Sequence, residues 1–241
     1  MTMLSFDSRL DQDELMDVEK VSFEEFRDCL VDLTRVNELT LAYRPTLAYF
    51  ERLLPQIRAL GRPLEVVDVG SGYGDMLRAI HGWARTRDVA ISLTGVDMNP
   101  WSAKAAREAT LPLEGPIEWV TADAFAYDPP RGIDVVVSSL FTHHLRDHEV
   151  VRFLRWMETT ATTGWFVNDL HRHPIPYYFF RTFAKLARYH RFVQHDGPVS
   201  IARAFSPADW RRLAREADID LNRVTIAWRV PFRLTVERVK G

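Results

Sequence analysis

Cysteine is nearly absent: Cys29 is the single one among 241 residues. An intrachain disulfide is thereby excluded, which fits a reducing compartment. Long apolar runs are missing too, since no stretch approaches the ~18 uninterrupted apolar residues of a membrane span. The opening residues, MTMLSFDSRLDQDELMDVEK, lack the basic start and apolar core of a signal peptide. Neither charge dominates. Lys and Arg number 31 against 33 Asp and Glu, a formal net charge of −2, so nothing global recommends nucleic acid or an anionic membrane as a partner. Internal repeats and low-complexity tracts are also lacking. These absences lead to the expectation of a soluble cytoplasmic protein with no stable membrane insertion. Oligomeric state is not readable at this level.

What is present is ordinary in composition and ordered in pattern. Hydrophobic residues make up 46% and charged residues 27%, as in a globular protein, and the length suits one α/β domain with an added cap. Residues 1–20 carry six carboxylates and read as a mobile acidic segment. Residues 21–61 show two helical patterns and read as an N-terminal helical cap. The first places Phe23, Phe26, Leu30 and Leu33 on one face, with Ser22 and Glu25 spaced as a capping box. The second starts at Pro45 and contains Pro55, which should kink or divide it.

Residues 62–170 alternate strands, expected at 64–69, 91–96, 117–121, 133–138 and 164–168, with helices near 74–86, 100–109 and 146–159. Strands such as IDVVVSS are apolar at consecutive positions, as when helices cover both faces of a parallel sheet. The expected fold is a doubly wound α/β core. Residues 171–205 form an aromatic and basic insertion with a turn signal at Asp196-Gly197-Pro198. Residues 206–241 hold a helix near 207–217 and two extended runs around Pro231. Runs joined so tightly must pair antiparallel.

Residues 64–75, LEVVDVGSGYGD, put three glycines between a strand and a helix. Bare backbone there lets a ligand approach the chain and the first helical N–H groups. Gly70, Gly72 and Gly74 are spaced G-x-G-x-G, with Asp68 two residues ahead. The dinucleotide fingerprint is G-x-G-x-x-G, so the spacing argues against a nicotinamide-dependent reductase. A second strand ends at Asp97 in SLTGVDMNP, where a carboxylate can accept hydrogen bonds from ribose hydroxyls. The third and fourth strands end in WVTADAF and SSLFTHHL.

DVGSGYG matches every fixed position of the first motif of class I S-adenosylmethionine-dependent methyltransferases, and residues 64–170 as a whole resemble that family. The resemblance implies a Rossmann-like, mostly parallel seven-stranded sheet with an antiparallel last strand. It implies S-adenosyl-L-methionine as cofactor and S-adenosyl-L-homocysteine as product. Asp68, Gly70, Ser71, Gly72 and Gly74 would surround the methionine portion, and Asp97 and Met98 the ribose. Asp123 and Ala124 would lie at the adenine, with Ser139 and Leu140 facing the methionine part. The chain also resembles a bacterial subgroup of small-molecule methyltransferases associated with polyketide, quinone or phenol metabolism. A small-molecule acceptor follows.

A phenolic acceptor, with a reference pKa near ~10, benefits from a nearby base, and imidazole is the natural one. His143 and His144 follow strand four, and Asp169, His171 and His173 follow strand five in VNDLHRHP. In open α/β sheets the site lies beyond the carboxyl ends of the strands. His143, His144 and His171 are therefore candidate catalytic groups, or else structural or exposed histidines. Asp169 would orient one of them or cap the next helix. No metal site is expected, because magnesium prefers oxygen ligands and none of the spacings is a zinc signature. Phe141, His173, Tyr177, Tyr178 and Arg203 are candidate acceptor contacts, in keeping with an aromatic cap over a planar or greasy molecule. Arg35, Asn37, Tyr43 and Arg44 should lie near the cofactor mouth.

The leading expectation is O-methylation of a small, largely apolar aromatic hydroxyl compound. C-methylation of an activated aromatic or pyrone carbon is the alternative, and a non-catalytic cofactor-binding or interaction protein on this fold is the reading from another class.

Overall fold

A computed structural model describes residues 5–110, 115 and 117–240. Its centre is a seven-stranded sheet of order β3-β2-β1-β4-β5-β7-β6. The strands are β1 (Leu64–Val69), β2 (Ile91–Asp97), β3 (Ile117–Thr121), β4 (Ile133–Ser139), β5 (Ala161–Leu170), β6 (Thr225–Arg229) and β7 (Arg233–Val239). β1 to β5 run parallel, while β7 is antiparallel to both β5 and β6. The sheet therefore has the architecture expected from the sequence. β5 differs by starting three residues early and ending two late, because both of its edges are paired, with β4 and with β7.

Consecutive apolar residues serve opposite faces. Val67, Val69, Val136, Trp165 and Val167 meet α6 (Asp147–Thr160) and α9 (Pro207–Glu216). Val66, Val135, Val137 and Phe166 meet α3 (Arg44–Ala59), α4 (Asp75–Arg87) and α5 (Pro100–Ala109). This is the two-sided burial that the unbroken apolar strands require. Helix α3 passes through Pro55 undivided. Tyr49, Phe50, Leu53 and Ile57 are all buried on one side of it, so packing holds the helix through the missing N–H.

Helix α2 (Phe23–Leu39) begins at Ser22, whose hydroxyl accepts from Glu25 N at 3.1 Å. The reciprocal half of the expected capping box is replaced, for the Glu25 carboxylate pairs with Arg191. The insertion at 171–205 is two helices, α7 (Pro174–Leu186) and α8 (Arg191–Arg203). Asp196-Gly197-Pro198, read as a turn, lies inside α8. A Cβ at Gly197 would stand 2.0 Å from the Phe180 ring, so the glycine serves the close approach of α7 to α8. The Asp196 carboxylate accepts from the backbone N of Leu15 and Met16 at 2.8 and 3.0 Å. It thereby caps the short α1 (Leu15–Val18) from across the chain.

The largest departure from expectation is the acidic N-terminal segment. Residues 1–4 lie outside the described residues, but 5–20 lie against the body rather than free of it. Leu10 N donates to Ala202 O at 3.0 Å. Arg9 donates to the carbonyls of Arg203, His143 and Leu145 at 2.6, 3.0 and 2.8 Å, pairs with Asp147 at 2.9 Å, and lies over the Phe205 ring. Arg172 donates to Phe6 O at 2.9 Å. Composition counts carboxylates but does not see these partners. Replacing Arg9 by Met should lower stability by about 2–4 kcal/mol, since it leaves three part-buried carbonyls and Asp147 without their partner. Chemical denaturation measures the loss, and faster amide exchange confined to residues 5–20 would mark its origin.

Candidate active site

The carboxyl ends of β1, β2 and β4 open into one cavity of about 730 Å³. Helices α2 and α8 roof it, and the segment around Glu14–Asp17 closes its far side. One end is built from the residues that the sequence motifs single out. Gly70, Ser71, Gly72, Asp68, Asp97, Met98, Asp123, Ala124, Ser139, Leu140 and Phe141 all line it.

The glycines divide the work in an unexpected way. Gly72 has φ +51° with open space where a Cβ would stand, so its backbone is bare toward the cavity. Gly74 does not line the cavity. It has φ +75°, and a Cβ there would lie 2.0 Å from the Trp119 ring, so it is needed for packing between loop and β3 rather than for a ligand.

Asp97 anchors the loop: Oδ2 accepts from Gly72 N at 2.9 Å, and Oδ1 accepts from Asn99 N at 2.8 Å. The Ser102 side chain also hydrogen-bonds this carboxylate, which keeps lone-pair capacity for a further donor. Burial pushes its carboxyl above the usual range despite those bonds. Asp123 accepts from Phe125 N at 2.9 Å, which sets the turn at the next strand end.

Two buried atoms beside this wall have no partner among the described residues: Oδ1 of Asp68 and Nη1 of Arg233. Burial, reinforced by Asp75 and Asp97, pushes the Asp68 carboxyl well upward. Burial likewise lowers the Arg233 guanidinium to about 10. Leaving such groups unmatched is costly. An ammonium and a carboxylate on one ligand would match both, as the methionine end of S-adenosylmethionine offers. The expected cofactor therefore fits this set of groups.

The arginine at this end comes from β7 and not from the N-terminal helices. Arg35 pairs with Asp32 at the surface, and Arg44 does not line the cavity. Asn37 and Tyr43 do lie at the mouth, where both donate to Asp75 Oδ2, at 3.0 and 2.7 Å. Asn37 also accepts from Arg233 Nη2 at 3.1 Å.

The other end of the cavity is apolar, with Met16, Phe26, Leu30, Leu33, Phe180 and Val193 among its walls. At its inner side stands a polar cluster. Leu140 takes φ +55°, a left-handed turn that leads β4 into a short 3-10 turn at Thr142–His144. Asp169 holds that turn: it accepts from Thr142 Oγ1 at 2.5 Å and from His143 N at 3.0 Å, and meets His143 Nδ1 at 2.7 Å. Burial would raise the Asp169 carboxyl, but the imidazole and these hydrogen bonds outweigh it and hold the group below its usual range.

Asp169 thus orients His143, and it does so from behind the cavity wall. His143 and His144 line the cavity beside Glu14. Burial works against the charge on His144, yet its Asp17 hydrogen bond and the nearby Glu14 leave the pKa raised.

His171, a candidate catalytic group, and several expected acceptor contacts are not brought here. His171 and His173 stack on each other with centroids 5.5 Å apart and do not line the cavity. His173 Nδ1 accepts from Ile175 N at 3.2 Å to cap α7. Tyr177 and Tyr178 meet Phe6 edge-on, outside the cavity. Successive residues of a helix diverge by about 100°, so of the run 177–180 only Phe180 faces inward. Arg203 spends its guanidinium on Gln12 O and His144 O, at 3.1 and 3.2 Å.

Sequence reasoning missed Glu14, Asp17 and Arg233. The signals were slight: the ELMD turn in an acidic stretch, and a charged residue at an inward position of a strand.

No curated protein matches the chain in sequence. Among solved structures, magnesium protoporphyrin IX methyltransferase from Synechocystis with bound S-adenosylhomocysteine is similar at 14% identity and TM-score 0.53, covering 92% of this chain and 89% of that one. The plantazolicin methyltransferase in complex with S-adenosylhomocysteine matches at 11% identity and TM-score 0.61, over 90% and 96%. Human N-acetylserotonin methyltransferase in complex with S-adenosylmethionine matches at 15% and 0.61, over 91% of this chain and 57% of that one. At such identities the likeness is one of fold. In sequence, residues 66–164 match the model of the methyltransferase domain family. The chain carries a methyltransferase domain at residues 66–164, on the fold of S-adenosylmethionine-dependent methyltransferases.

Proposed function

We propose that the protein methylates a hydroxyl of a small, largely apolar aromatic acceptor, with S-adenosylmethionine as donor. The observation that carries this reading is the two-ended cavity: the strand-end wall at one end, and an apolar chamber with an imidazole–carboxylate cluster at the other. When bound, the cofactor supplies an electrophilic methyl group on a sulfonium. Asp97 would accept from its ribose hydroxyls, Asp123 and Ala124 would meet the adenine, and Asp68 and Arg233 would take the ammonium and carboxylate.

The chain's other contributions are positioning and exclusion of water. Phe26, Leu30, Leu33 and Phe180 offer apolar surface to an acceptor ring. The cluster at His143 and His144 lies at the inner wall, where it would favour the ionised form of the acceptor hydroxyl. Asp169 keeps His143 in one orientation. The known substrates of similar folds, a porphyrin and N-acetylserotonin, agree with small-molecule acceptors without choosing one.

Calorimetric titration with S-adenosylhomocysteine should show micromolar binding, with none for NAD. Asp97→Ala and Arg233→Met should each weaken it by about 10–100-fold, as expected for a lost hydrogen bond to a charged group. Binding of NAD instead would end the reading. In a screen of phenols and hydroxypyrones, acceptors should react and their hydroxyl-blocked analogues should not. Equal reaction of the blocked analogues would mean methylation at carbon. Asp169→Asn should cut turnover by at least about tenfold with cofactor affinity unchanged, because it frees the imidazole it now orients.

A further inference from the structure

In the cluster at the inner wall, the separations between the two imidazoles and Glu14 are too long for hydrogen bonds. Glu14 is 4% exposed and His143 3%, yet the His143 Nε2–Glu14 Oε1 separation is 3.6 Å and the His144 Nε2–Glu14 Oε2 separation is 3.9 Å. Both exceed a hydrogen bond. The two rings lie close together, with centroids 4.3 Å apart. Each imidazole is held from behind at its other nitrogen by a separate carboxylate: His143 Nδ1 by Asp169 at 2.7 Å, and His144 Nδ1 by Asp17 at 3.2 Å. With Nδ1 of each ring directed at its own carboxylate, both Nε2 atoms are left facing Glu14, and neither is within hydrogen-bond reach of it. Two ring nitrogens and a carboxylate thus turn toward one shared space in a buried place.

We infer that Glu14, His143 and His144 form a binding site for one divalent transition-metal ion at the acceptor end of the cavity. The ligand atoms of the three residues lie within 4.8 Å of one another. Ligands about 2.0–2.2 Å from a tetrahedral ion lie ~3.3–3.6 Å apart, so the His143 Nε2–Glu14 Oε1 pair already stands at that spacing, and the remaining separations, within 4.8 Å, would close on binding. Carboxylates behind metal-binding imidazoles are the usual means of fixing tautomer and ring orientation. Two imidazoles and a carboxylate select zinc, iron or cobalt over magnesium and calcium, which prefer oxygen.

The other groups facing the cluster are compatible. Ser200 Oγ donates to Glu14 Oε1 at 2.7 Å and holds that side chain in place. Arg9 and Arg203 reach the backbone carbonyls of His143 and His144 and leave the ring nitrogens clear. Three protein ligands leave a coordination position open toward the cavity that all three residues line. Resting on the methyltransferase reading above, the consequence is an acceptor that presents an oxygen able to bind the ion as its anion, such as a phenol or an enolised ketone. No spacing in the sequence betrays this site, because Glu14 lies more than a hundred residues from the two histidines.

The test uses the full chain after dialysis against a chelator. Calorimetry with Zn²⁺, Co²⁺ and Mg²⁺ should show one equivalent of Zn²⁺ or Co²⁺ bound at micromolar affinity or tighter, with Mg²⁺ far weaker. The cobalt form should show visible absorption of a low-coordinate, imidazole-bound ion. Glu14→Gln and His144→Ala should each weaken binding by at least about tenfold, while the double variant His171→Ala/His173→Ala should bind as the wild type does. Absence of saturable Zn²⁺ or Co²⁺ binding by the wild type overturns the inference, as does binding unchanged in both cluster variants. The wild-type cobalt spectrum tests the site even if a variant fails to fold. S-adenosylhomocysteine titrated in parallel keeps the two readings apart: binding of the nucleoside together with no saturable binding of Zn²⁺ or Co²⁺ refutes the metal site alone, and failure of the nucleoside to bind refutes the methyltransferase reading instead.

Discussion

Asp169 carries the constraint on which the acceptor end depends. A carboxylate buried to 1% exposure is costly unless its lone pairs are met. Here they are met by Thr142 Oγ1, His143 N, His143 Nδ1 and Leu170 N. Three of these bonds reach from the end of β5 to the turn that follows β4. That turn cannot relax without exposing an unpaired buried charge, so the His143 ring and the backbone beside Leu140 are held together. Arg9 fastens the same turn from the other side through the carbonyls of His143 and Leu145. The sheet thereby positions the turn, and the turn positions the N-terminal segment.

The two ends of the cavity use charge in opposite ways. At the strand-end wall, Asp68 and Arg233 retain unpartnered buried atoms, and stability is held back until a zwitterionic ligand fills the space. At the inner wall the charges are nearly all backed: Asp169 behind His143, Asp17 behind His144, and Ser200 on Glu14. Rigid backing of this kind suits a site whose geometry must not shift as the acceptor varies. The apolar chamber between them comes from helices that contribute little to the sheet, α2 and α8. Acceptor choice can therefore change with those helices while the wall beneath stays the same.

Much of this was legible in residue order, for local reasons. The parallel strands announced themselves through apolar residues at consecutive positions, and the two tight final runs could pair only antiparallel. DVGSGYG and Asp97 placed the cavity wall at the ends of β1 and β2, because each sits where a strand stops and needs no distant partner to be recognised. The failures were residues whose meaning is set by contacts across the chain. Gly197 looked like part of a turn until the Phe180 ring lay on it. Tyr177 and Tyr178 looked like a cap, but helical rotation carried them outward. Acidic composition made residues 5–20 seem loose, although Arg9, Arg172 and the Asp196 cap hold them down.

By itself the sequence determined the sheet, the helices that cover it and the glycine loop at the cavity wall, since these follow from periodicity and from backbone freedom at a few glycines. Only the tertiary structure decided which charges share a cavity. Arg233 reached the strand-end wall because β7 inserts beside β5, and Glu14 reached His143 because Asp196, far along the chain, caps the helix that starts beside it. Charge pairing depends on distance in space, and separation along the chain carries no information about it once the chain has crossed the sheet.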